Sequence, residues 1–78
     1  MKSKDIGATV KAIRTDLGMT TTVLARKVGI SQAQISRLEN GHQGFRSATA
    51  VALAKALGVP PFRLFMSEAE WKRWSGRR

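Results

Sequence analysis

The chain has 78 residues, 42% of them hydrophobic, with no cysteine and a net charge of +9 from fourteen Lys and Arg against five Asp and Glu. That length suits one domain and excludes a large cleft-bearing enzyme, and the missing cysteines exclude a disulfide framework and thiolate chemistry. The charge exceeds what solubility requires and points to an acidic partner, while the apolar fraction is too high for a disordered basic tail.

Apolar residues recur at helical spacing from the outset. Ile6, Val10, Ile13 and Leu17 form the buried stripe of a first helix, closed by Gly18. Lys2 and Lys4 imitate the start of a signal peptide, but Gly7, Thr9, Lys11 and Arg14 interrupt the apolar run that should follow. Thr20 can cap a second, two-turn helix with Leu24, Ala25 and Val28 on one face, ended by Gly29. Ser31 and Gln34 have the spacing of a capping box and open a third helix, which turns Ile35 and Leu38 inward and stops at Asn40-Gly41.

A polar loop through Arg46 follows, and Ser47 is expected to cap a fourth helix with the stripe Ala50, Leu53, Ala54 and Leu57, ending at Gly58. The most apolar stretch, Ala48 to Val59, is too short to span a bilayer and carries Lys55. Pro60-Pro61 should start a fifth helix over Phe62, Leu64, Phe65 and Met66. Ser67 and Glu70 have the spacing of a second capping box ahead of Trp71 and Trp74. Nothing alternates with period two over a useful length. The expected fold class is therefore all-α, a compact bundle of five short helices with a short sixth added at the C-terminus. We expect a single domain over 1–78, with its core at about 5–66 and an extension at 67–78.

The second helix, the connector Val28-Gly29-Ile30-Ser31 and the third helix make two short helices around a tight glycine turn, each too small to bury its apolar face alone. From Val10 to Phe65 the chain resembles the λ-repressor-like helix-turn-helix DNA-binding domain (Cro/C1 type, XRE family). The likeness rests on Ile13-Arg14, Leu17-Gly18-Met19-Thr20, Leu24-Ala25, Val28-Gly29-Ile30-Ser31, Ile35-Ser36, Leu38-Glu39-Asn40-Gly41 and Ala54-Lys55-Ala56-Leu57-Gly58-Val59.

With Ile35 at the centre of the buried side of the third helix, Ala33, Arg37 and Asn40 point outward, Gln34 and Ser36 lie on the flanks, and Gln32 sits at the N-terminal edge. In a major groove Arg matches guanine O6 and N7, Gln matches adenine, and Ala meets a thymine methyl. Taken singly, each of these residues could equally be a solvated group on a surface helix. The resemblance implies base contacts from Gln32, Ala33, Ser36 and Arg37, with Gln34, Asn40 and His42 nearer the phosphates. Charge and polarity add Arg26, Lys27, Gln43 and Arg46 as phosphate candidates. Where relatives often carry Gln at the first position of the second helix, to buttress the recognition helix or touch phosphate, this chain has Thr21, which is taken as a phosphate candidate in its place.

Glu39 is the sole acid between Leu17 and Arg63, against six cations, and it lies on the flank of the third helix's buried side as Arg14 does on the first. Relatives that keep both residues form a partly buried salt bridge, which implies a structural role for the pair. His42 is the only histidine, so no set of soft metal ligands can be assembled, and no catalytic triad or phosphate-binding glycine loop is present. No metal, cofactor or enzymatic activity is expected. Phe62, Phe65, Met66, Trp71 and Trp74 exceed what one small core obviously hides, and relatives frequently dimerise through this region. They are the candidate homodimer interface, with packing of the tryptophans inside one chain as the alternative.

The function expected is that of a sequence-specific, double-stranded DNA-binding transcriptional regulator, bacterial or phage-encoded, cytoplasmic and nucleoid-associated, dimeric on a pseudo-palindromic operator. The alternatives are an antitoxin that binds a toxin protein and represses its own operon, and non-specific binding through charge. No membrane partner is expected.

Overall fold

The computed structural model describes residues 3–42, 44, 46–66 and 68–75. In chain order these form α1 (Ser3–Asp16), α2 (Thr21–Val28), α3 (Gln32–Glu39), α4 (Ser47–Leu57), a 3₁₀ helix (Pro61–Phe65) and α5 (Glu68–Ser75), with no strand among them. The fold is all-helical, as the periodicity predicts. Its fifth element is a 3₁₀ turn rather than an α-helix, because only five residues separate Pro60 from Met66 and a tight i+3 ladder is the form such short pieces adopt.

Each of the first four helices supplies an apolar stripe to one core: Ile6, Val10 and Ile13 from α1, Leu24 and Ala25 from α2, Ile35 and Leu38 from α3, and Ala50, Leu53, Ala54 and Leu57 from α4, closed by Leu64. Leu24, Ile35, Leu38, Leu53 and Leu64 are almost wholly removed from water. Burial on this scale is worth about 1.5–3 kcal/mol per side chain, and no single helix of eight residues could obtain it alone. Leu17 departs from the expected stripe and is 54% exposed, because α1 ends at Asp16 and the chain has already turned away.

The helix ends are set locally. Thr20 caps α2, accepting a hydrogen bond from the Val23 N–H at 3.1 Å. Gly29 ends α2 in the left-handed region at φ 86°, a conformation costly for any residue with a Cβ, and its N–H returns to the Ala25 carbonyl at 2.8 Å. The cap of α4 is Arg46, without a side-chain bond, and the expected cap Ser47 is already the first helical residue. Ser67, half of the second expected capping box, lies outside the described residues.

Candidate nucleic-acid interface

Ser31 starts α3 with an extended backbone, and its hydroxyl accepts the Gln34 N–H at 3.1 Å while the Gln34 Oε1 accepts the Ser31 N–H at 3.0 Å. This reciprocal pair satisfies two backbone donors that the helix cannot serve itself. With Ile35 and Leu38 fully buried, rotation of the helix is fixed, and Gln32, Ala33, Ser36, Arg37 and Asn40 are left exposed. Four of these are the expected base-reading residues, and they share one outward edge of α3.

The first of them is held in place from α2. Gln32 Nε2 donates to the Thr21 hydroxyl oxygen at 3.0 Å. One amide proton and the carbonyl oxygen of Gln32 remain, a donor and an acceptor side by side. Three residues expected near phosphates thus carry bonds within the chain: Thr21 to Gln32, Gln34 in the cap, and Asn40, whose Nδ2 donates to the Ser36 carbonyl at 2.9 Å. His42 is exposed just beyond α3, where its N–H donates to the Arg37 carbonyl at 2.9 Å, and Gln43 lies outside the described residues.

The far end of α3 is bound to α1. Arg14 Nε donates to Glu39 Oε2 at 2.6 Å and Nη2 to Oε1 at 3.1 Å, a two-pronged match of guanidinium to carboxylate. Its remaining Nη1 donates to the Met19 carbonyl at 2.8 Å, a contact beyond the reach of sequence spacing. The Glu39 side chain is 4% exposed. Since Glu39 is the sole acid between Leu17 and Arg63, its burial leaves that segment with an exclusively cationic surface. Arg26, Lys27, Arg37, Arg46 and Lys55 are exposed there. Arg63, the sixth cation of the segment, is not on that surface: it is 4% exposed, with its guanidinium 4.8 Å from the centre of the Trp71 ring.

The aromatic residues gather at the other end of the chain. Trp74 meets Phe62 edge to face with centroids 5.3 Å apart and stacks on Trp71 at 5.3 Å, leaving both tryptophans half-buried. Phe62 and Phe65 remain 45% and 48% exposed, and Met66 is half-buried. Among the described residues no cluster of His, Asp or Glu suited to a metal ion is found, and no helix is long and apolar enough to cross a membrane.

The profile of the Helix-turn-helix family HTH_3 matches residues 10–64. Over 58 residues, 73% of the chain, it is 40% identical to the HTH-type transcriptional repressor RghR of Bacillus subtilis. Over 64 residues, 82% of the chain, it is 36% identical to the propionyl-CoA carboxylase regulator of Cereibacter sphaeroides. The aligned parts are 43% and 14% of those two proteins, so the chain spans less than half of either relative. Among solved structures, the restriction-modification controller protein C.AhdI of Aeromonas hydrophila superposes with a TM-score of 0.78 at 25% identity, covering 81% of this chain and 96% of that one. With its family profile, its relatives and its capped α2–α3 pair in agreement, the chain belongs to the helix-turn-helix family HTH_3, the λ-repressor-like (XRE) class of DNA-binding domains.

Proposed function

We propose that the chain binds double-stranded DNA sequence-specifically as a transcriptional regulator, with α3 in the major groove. The observation that carries this reading is the exposed edge Gln32, Ala33, Ser36 and Arg37 on a helix capped at one end and ion-paired at the other. The Gln32 amide, with one proton given to Thr21, offers its other proton to adenine N7 and its oxygen to adenine N6. Arg37 takes guanine O6 and N7, Ala33 packs on a thymine methyl, and Ser36 serves either base. Arg26, Lys27, Arg46 and His42 supply contacts to phosphate, which add affinity without sequence information.

One such module makes a small interface, so two copies are brought together on a pseudo-palindrome. The half-exposed Phe62 and Phe65, flanked by Met66, are the patch that supports a symmetric contact, with the tryptophans bracing it from within the chain. Sedimentation over a concentration series should show a dimer at tens of micromolar, and a strictly monomeric species there removes this part of the reading.

The deciding experiment is selection of bound sequences from random duplex DNA. A discrete site with two half-sites about 34 Å apart is expected. Arg37→Ala should relax preference at one base step per half-site and cost about 1–3 kcal/mol in affinity for the selected site. An unchanged preferred sequence and affinity would show that α3 is not the reading element.

A further inference from the structure

Gly7 is the fifth residue of α1 and is buried where that helix crosses the end of α3. A Cβ built there would stand 2.1 Å from the Leu38 carbonyl oxygen and 2.8 Å from that of Glu39. Both obstacles are backbone, so no change of rotamer relieves them. Ordinary carbon–oxygen contact begins near about 3.3 Å, so one helix would have to move by about 1 Å.

Retreat of α3 from α1 is opposed by a second attachment. Arg14, two turns further along α1, holds the Glu39 carboxylate at 2.6 Å, so a side chain at position 7 would push apart what Arg14 pulls together. The displacement within α3 falls at its C-terminal end, because the carbonyls that would meet the new Cβ belong to Leu38 and Glu39, while the other end is attached to α2 through Gln32 and Thr21. An eight-residue helix is about 12 Å long, and displacing one end by about 1 Å tilts it by roughly 5°. That tilt lies inside the angular tolerance of a recognition site, about 10–20°, but the displacement near Arg37 exceeds the positional tolerance of about 0.5 Å.

We propose that Gly7 is a positioning residue for base recognition: its missing side chain sets how closely the end of α3 approaches α1, and through that the placement of Arg37. The inference rests on the DNA-binding reading given above and assigns specificity at one step of the site to a residue that faces away from DNA.

The test uses the full chain as wild type, as Gly7→Ala, and as Ala8→Gly, a control at the exposed neighbouring position. Affinities are measured for the selected DNA site, for sites altered at the step read by Arg37 or at that read by Gln32, and for unrelated duplex. Gly7→Ala should lose discrimination by about tenfold at the Arg37 step and by less than about threefold at the Gln32 step, with Ala8→Gly unchanged at both. Equal losses at the two steps, or no loss, overturn the proposal.

If wild type selects no discrete site, the regulator reading fails, and the displacement is judged instead from backbone amide resonances. Shifts concentrated at residues 37–40 support it, and shifts confined to α1 or uniform along α3 overturn it. If Gly7→Ala is unfolded in dilute buffer, the measurements are made in trimethylamine N-oxide, which favours the compact state. A chain that stays unfolded there assigns Gly7 to stability alone and overturns the positioning role.

Discussion

In the α2–α3 pair the side-chain attachments at the helix starts are directional polar bonds: Thr20 to the Val23 N–H, Ser31 and Gln34 to each other's backbone, and Gln32 to Thr21, all at 3.0–3.1 Å. At the C-terminal end the attachments are ring faces, Phe62 on Trp74 and Trp74 on Trp71, with Arg63 laid over Trp71. Hydrogen bonds weaken steeply with angle, whereas apolar burial depends on area and tolerates sliding. The contrast shows where orientation matters. The first region holds outward-facing groups at fixed angles, whereas the contacts described in the second are packing of aromatic rings and of a cation on a ring.

The sharpest break in that comparison is Glu39→Ala, which strands the Arg14 guanidinium, itself only 13% exposed, where the far end of α3 meets α1. A loss of about 3–5 kcal/mol is expected, a large part of the roughly 4–12 kcal/mol available to a chain of this length. Asp16→Ala, on an exposed residue, should stay within about 0.5 kcal/mol. Equal denaturation midpoints for the two variants would remove the ion pair from the account.

Ser31→Ala comes next, removing one half of the capping box for about 1 kcal/mol, read by thermal melting and by faster amide exchange in the first turn of α3. Trp74→Ala tests the other region. It should cost about 0.5–1.5 kcal/mol for each of its two ring contacts and leave the selected DNA sequence unaltered, whereas a changed base preference would mean that the aromatic segment also orients α3. The smallest effect on stability is expected from Arg46→Ala, within about 0.5 kcal/mol, accompanied by weaker binding to all duplexes and a salt slope reduced by about 1. An unaltered slope removes Arg46 from the phosphate contacts.

The same division explains what the chain discloses before it is folded. Caps at Thr20 and Ser31, glycine stops, and the inward residues of α1 to α4 follow from rules acting within one or two turns, and these are legible. The outward edge of α3 follows because Ile35 and Leu38 fix its rotation. Contacts spanning elements are not legible in this way: Arg63 over the Trp71 ring, the third bond of Arg14 to Met19, and the contact of Gly7 with the end of α3 all need the helices to be placed first. The interior glycine of α1 was nonetheless a signal, since glycine weakens a helix by about 1 kcal/mol relative to alanine. The fifth helix takes the 3₁₀ form for a local reason, the shortness of the run after Pro60-Pro61, and Leu17 leaves the stripe because the periodic pattern runs one residue past the helix that carries it.

The eight-residue length of α3 has an informational consequence. At about 3.4 Å per base step along one strand, roughly 12 Å of helix passes three or four steps, and a four-letter word recurs by chance about once in 250 positions. A genome offers about a million or more competing positions, so on the proposed reading one copy of this helix would have thousands of equivalent addresses. Two copies at a fixed separation multiply their rarities, and a recognition element this short acquires a single address only when it is used in pairs or alongside another reader.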